Sequence, residues 1–142
     1  MKWYFASRIR HKDNISRIIK LLQSQNHEVV YDWSKLGSLK PYKDNSHQAS
    51  LIAEEISVAL KNVDIFVLIS DEFGTDMFIE LGLVIGNWLD NKKIKIYAVG
   101  NFNNRSLMHF HPAIKQVDNL SDVFSLECPE LLTQEYSQFN FL

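Results

Sequence analysis

An apolar run from Val63 to Ile69, broken only by Asp64 and closed by Ser70 and Asp71, constrains this chain more than any other stretch. A short β-branched run with polar ends forms a strand buried on both faces, and such a strand requires helices packed above and below it. The required helix follows at once. Gly74 and Thr75 break the pattern, and Met77, Leu81, Val84, Ile85 and Trp88 then recur at helical spacing.

One residue of that helix is not explained by helix grammar, and is either a solvated helix acid or a functional carboxylate. A capping box would place an acid three residues after Thr75, where Phe78 stands, so Glu80 is not a capping residue. Near the positive end of the helix, its pKa should be lowered and its carboxylate held ionised. Gly82 and Gly86 follow. Each costs a helix interior about 1 kcal/mol relative to alanine, which predicts a helix pressed close to the sheet or to a ligand at those positions.

The rest of the composition narrows the class. A length of 142 residues suits one domain with a proper core, spanning residues 1–142 with its body at about 2–132. A net charge of −2 provides no basic field, which argues against a nucleic-acid polymer as partner. No run approaches 18 apolar residues, so no membrane span is expected, and the apolar N-terminus meets Ser7, Arg8 and Arg10 too early for a signal peptide. Cys128 is the single cysteine, in keeping with a reducing compartment and a cytoplasmic location.

In chain order, Lys2 to Ala6 reads as the first strand. Ser7, Arg8 and Arg10 follow it, and Ile15, Ile18, Ile19 and Leu22 then mark a helix face that Asp13 or Asn14 would cap. A hydroxyl and two guanidiniums between a strand and a helix start form a plausible phosphate or carboxylate site, without the glycines of a P-loop. His27 to Tyr31 reads as the second strand. An aperiodic stretch from Asp32 to about His47 carries Trp33 and Tyr42; Trp33 is placed either to stack on a planar ligand or to pack over the sheet edge. Ser50 to Lys61 is a helix with Ile52, Ile56, Ala59 and Leu60 inward, and Glu54 and Glu55 one turn from its start. Ile94 to Val99 and Ala113 to Val117 are the last strands, and Leu120 to Leu132 the last helix. His109 and His111, with Pro112 behind them, are too few to specify a metal, and none is expected.

Strands alternating with helices predict an α/β protein, a flavodoxin-like three-layer α/β/α sandwich around a five-stranded parallel sheet of order 2-1-3-4-5. Its ligand site lies outside the carboxyl ends of the strands, where the order reverses between strands 1 and 3. Ser7 to Arg10, Trp33, Ser70 and Asp71 through Glu80, and Asn101 to Arg105 all fall on that rim.

Tyr4-Phe5-Ala6-Ser7 with Arg10, Ala53-Glu54-Glu55 before Val63-Asp64, and Gly74 through Thr75 to Glu80-Leu81-Gly82 together resemble the nucleoside 2-deoxyribosyltransferase superfamily, which includes the 2'-deoxynucleoside 5'-monophosphate N-glycosidases. The likeness runs from Lys2 to about Phe124. It implies that Glu80 is the nucleophile, that Ser7 with Arg10 or Arg8 holds the 5' end of a nucleoside or its phosphate, and that Tyr4 lies near the sugar. Asp71, Gly74, Thr75 and Trp33, read from their places on the rim, complete the candidate substrate-binding set. No cofactor is implied. The family's acid for the leaving base would fall on Ile56, so Glu55, one position away, stands in for it. Gly74 also replaces the serine that the glycosidase branch favours.

Breaking an N-glycosidic bond passes through an oxocarbenium-like state that a carboxylate beneath the anomeric carbon stabilises or captures; water or an acceptor base then resolves the intermediate. Two other readings fit the same residues: a module that binds a nucleotide or sugar phosphate without turnover, and an NAD glycohydrolase like those of Toll/interleukin receptor-like domains. Tyr136, Phe139, Phe141 and Leu142 crowd the C-terminal tail, residues 133–142. With the resemblance, they predict a homodimer or a larger even-numbered oligomer with the tail at an interface.

Overall fold

The structure is a computed structural model and describes residues 1–132. The tail and the interface expected of it lie outside those residues. Five parallel strands, β1 (Lys2–Ala6), β2 (Glu28–Val29), β3 (Ile65–Ile69), β4 (Lys95–Val99) and β5 (Ile114–Val117), form one sheet in the order β2-β1-β3-β4-β5. This is the predicted topology. α1 (Lys12–Ser24) and α4 (Leu120–Glu127) cover one face, and α2 (Ser46–Leu60) and α3 (Asp76–Asn91) the other.

Strand alternation sorts the core into two halves. Trp3 and Phe5 of β1 join Ile65, Val67 and Ile69 of β3 beneath α1 and α4, while Tyr4 and Ala6 join Phe66 and Leu68 beneath α2 and α3. All of β3 is buried, as its apolar run requires. Register pairs Trp3 with Ile65 and Ala6 with Leu68, so the carboxyl ends of β1 and β3 open side by side.

Several boundaries differ from the sequence reading. β2 is only two residues long because, at the sheet edge, it has a neighbour on one side, and after the Val30 amide meets the Trp3 carbonyl at 2.9 Å the chain turns away. A 3-10 turn, Ile9–His11, runs into α1, which puts Asp13 and Asn14 inside the helix and not at its cap. α2 starts four residues early because Tyr42–Asn45 forms a 3-10 turn that leads into it. α4 stops at Glu127, since Pro129 has no amide to continue the ladder, and Leu131 is buried by a separate turn. Gly82 and Gly86 are not pressed against the sheet: a Cβ at either would meet none of the described residues within 4 Å. No described helix is long and apolar enough to cross a membrane.

Candidate active site

Two periodicities build the centre of the site. Alternation in β1 sends Tyr4 to the α2–α3 side, where its ring stacks on Phe66 at 5.7 Å, and helical spacing puts Asp76 and Glu80 one turn apart on the flank of α3 that faces it. The Tyr4 hydroxyl is buried and, among the described residues, has no partner at full hydrogen-bond geometry. It lies close enough to Glu80 for each group to act on the other: burial, then the Glu80 charge, raises the Tyr4 pKa.

Glu80 departs from the sequence expectation. Burial pushes its carboxyl up to about 7, the Tyr4 hydroxyl works against that rise, and the charge of Asp76 adds to it. The helix dipole, placed five residues in, is too weak to offset the lost hydration. The group is therefore balanced between its two protonation states near neutral pH, a property common among catalytic carboxyls.

Two further phenols line the cleft. Tyr31, just after β2, donates to the Glu55 carboxylate at 3.3 Å, and burial followed by the charge of Glu55 raises its pKa. Tyr31 also acts electrostatically on Tyr4, so Glu55, although exposed on α2, is hydrogen-bonded to a phenol that faces the centre. Tyr42 approaches from the loop before α2, its pKa raised by burial and then by Asp76.

Above this acidic and phenolic cleft lies a cationic rim. Asp71, fully enclosed at the end of β3, holds Arg10 at 2.7 Å and Arg8 at 3.3 Å and accepts from the Phe73 amide at 3.2 Å. Burial pushes its carboxyl up, but the amide and the two guanidiniums outweigh that and hold it below the usual range. The Asp71 side chain thus sits beneath the guanidiniums, and the rim keeps a surplus of positive charge with both arginines partly exposed. His11 adds 3.7 Å contact to Asp71, its pKa lowered by burial and by Arg10. The Ser7 hydroxyl turns to the Arg8 carbonyl at 3.1 Å.

Gly74 joins rim to cleft. Its φ of +117° suits glycine, and a Cβ there would stand 2.9 Å from the Met77 sulfur and 3.3 Å from Arg8 Cγ. Thr75 is exposed at the helix start without a side-chain cap. Trp33 is committed to packing: its indole N–H donates to the Phe5 carbonyl at 2.6 Å and its ring rests on both halves of the core.

Behind the rim, Asn103 bridges the ends of β4 and β5 through the Ala98 and Val117 carbonyls, and accepts from Ser70 at 2.5 Å. Arg105, from the same loop, donates to the Asp71 carbonyl at 2.8 Å. His109 is buried between Ser106 and Ser70, a structural position.

Against solved structures, the chain superposes on a Clostridium botulinum CMP N-glycosidase, BcmB, with a TM-score of 0.55, covering 92% of this chain and 99% of that one at 16% identity. The two share a fold. No protein-family model matches the chain, and no curated protein matches it in sequence. In this fold the cleft between β1, β3 and α3 is the reversal point of the strand order, where sheets of this kind bind ligands.

The structure thus brings Tyr4, Glu80 and, through Tyr31, Glu55 to one cleft, with Arg8, Arg10, Asp71 and Gly74 along its rim. In the sequence reading Tyr42 stands in the aperiodic stretch and Arg105 on the rim, whereas Asp76 and Tyr31 are assigned no role there. Asp76 carried a signal, standing four residues before Glu80 on the same helix face.

Proposed function

We propose that this chain cleaves the N-glycosidic bond of a nucleoside or its 5'-monophosphate. The observation that carries this reading is the meeting of Glu80 with the Tyr4 hydroxyl in a largely buried cleft beside an arginine-rich rim. Its fold likeness to a CMP N-glycosidase and the motif resemblance support the same class of reaction.

In this mechanism the Glu80 carboxylate attacks the anomeric carbon as the carbon–nitrogen bond breaks, and the bonding pair leaves with the base, which takes up a proton. A sugar ester on Glu80 results. Water then releases the free sugar, as in a hydrolase, or an acceptor base displaces Glu80, as in a transferase. Tyr4 donates to the ionised carboxylate and orients it. Arg8 and Arg10, already aligned by Asp71, offer their remaining N–H groups to a 5'-phosphate, each charge-assisted contact contributing about 1.5–3 kcal/mol. The acidic cleft and the cationic rim divide the work between sugar and phosphate.

Incubation with CMP, deoxynucleosides, deoxynucleoside monophosphates and NAD, with released base measured, tests the proposal. Base release from a nucleotide that is abolished in Glu80→Gln is the expected result. Release of nicotinamide alone would favour the NAD glycohydrolase reading, and tight nucleotide binding without any release would favour a binding module. Assembly belongs to the same proposal: Leu51 and Val58 of α2 and Ile79 and Leu83 of α3 are exposed large apolar side chains on the layer that carries the cleft, a face suited to a second copy. Sedimentation equilibrium of the full chain is expected to show an even-numbered oligomer.

A further inference from the structure

The flank of α3 that faces away from Glu80 borders a second cavity. It has a volume of about 200 Å³ and lies between α3 and the 3-10 turn Leu107–Phe110 that connects β4 to β5. Phe78, Leu81, Gly82, Ile85 and Met108 form its apolar walls, with Arg105 as its one cation. At about 100° per residue, Gly82 sits roughly 200° around the helix from Glu80, so the two sites occupy opposite flanks.

Three observations say what this cavity suits. Gly82 weakens the helix without any packing return from the described residues, because a Cβ there meets none of their atoms within 4 Å; what its absence of a side chain preserves is the cavity. Arg105 lies over the Phe78 ring with its guanidinium carbon 5.3 Å from the centroid and spends one nitrogen on the Asp71 carbonyl, leaving other N–H donors of its five for a ligand. The remaining polar walls are neutral: His109 is engaged at Nδ1 by Ser106 (2.8 Å) and at Nε2 by Ser70 (3.4 Å), and none of the lining residues is acidic. An apolar slot with an aromatic wall, a thioether and a single unopposed guanidinium complements a planar aromatic anion.

We infer that the cavity between α3 and the β4–β5 connection is a binding site for a small planar aromatic carboxylate, separate from the Glu80 cleft and independent of the reaction proposed for it. The ring lies against Phe78 and Met108 over Gly82, and the carboxylate meets Arg105. Titration calorimetry of the full chain with 2-naphthoate, and with the uncharged 2-naphthylmethanol as comparator, tests this. Saturable binding of naphthoate, at least tenfold tighter than the alcohol, is expected. Gly82→Leu fills the cavity from an open position and should abolish binding while the thermal midpoint stays at or above that of the parent; Gly86→Ala, on the same helix but outside the cavity, should leave binding unchanged. Arg105→Gln should cost naphthoate at least tenfold and the alcohol less than about twofold. Absence of saturable naphthoate binding at millimolar concentration, or binding that survives Gly82→Leu in a folded protein, overturns the inference.

Discussion

The Tyr4 hydroxyl and the Glu80 carboxyl act on each other across the cleft between β1 and α3, each raising or restraining the other's ionisation. Glu80 works as a nucleophile only when ionised, and its pKa stands at about 7. The rate constant kcat/KM should therefore climb with pH through about 7 and level off above it. Tyr4→Phe deletes the donor that restrains the Glu80 pKa, so the acid limb should move to higher pH and the plateau should fall about tenfold. A pH profile of base release for parent and variant checks both; superimposable limbs would separate Tyr4 from the ionisation of Glu80.

The same shift has a thermodynamic side. Because the folded protein raises the Glu80 carboxyl from 4.5 to about 7, it holds the proton more tightly than the unfolded chain, and stability falls as pH rises from about 4.5 through 7. Glu80→Gln has no charge to bury. At pH 8 it should exceed the parent in stability by about 2 kcal/mol, after allowance for the residual exposure of the side chain, and near pH 4 the two should converge. Urea denaturation at both pH values measures the difference.

Glycines at opposite ends of the α3 region should respond with opposite signs. Gly74→Ala imposes a strained φ and drives a methyl into Met77 and Arg8, costing about 1–3 kcal/mol and disturbing the guanidinium that Asp71 holds. Gly86→Ala meets open space and should gain up to about 1 kcal/mol from helix propensity. Thermal midpoints of the two variants, with the nucleotide affinity of the first, provide the check.

How much of this was legible in the sequence follows from the range of each interaction. Sheet order and the Glu80 turn are written in local periodicity, and the Tyr4 orientation follows from alternation once β1 is placed. The closeness of Asp71 to Arg8 and Arg10 was implied by topology, since β1 and β3 are neighbours whose carboxyl ends open together; that a buried carboxylate would absorb both guanidiniums was not. Tyr31 left no signal and Tyr42 only its place in the aperiodic stretch, because both reach the cleft through the fold of the β2–α2 connection, which has no repeating pattern. The direction of the Glu80 shift is opposite to the one the helix dipole predicts, because the dipole is a property of the helix alone, whereas desolvation depends on everything packed around it. The cost of Gly82 and Gly86 is visible in the sequence, but which side of the helix they leave bare is set by the tertiary structure.

Among the described residues Glu55 reaches the centre through Tyr31, and that arrangement makes a distinctive prediction for the departing base. The base needs a proton as the carbon–nitrogen bond breaks, and Glu55 is exposed on α2, with its contact to the cleft made by the 3.3 Å hydrogen bond from Tyr31. If the pair serves base departure as one unit, Glu55→Gln and Tyr31→Phe should each lower kcat by about tenfold or more, and the double variant should be no slower than the slower single one. KM should change little, because neither group is placed at the cationic rim. A substrate whose leaving group departs as a stable anion, such as a nitrophenyl glycoside of the same sugar, should be nearly indifferent to both substitutions, while Glu80→Gln still abolishes its turnover. Additive losses in the double variant, or equal losses on the nitrophenyl substrate, would show that Tyr31 and Glu55 support the cleft structurally and take no part in proton delivery.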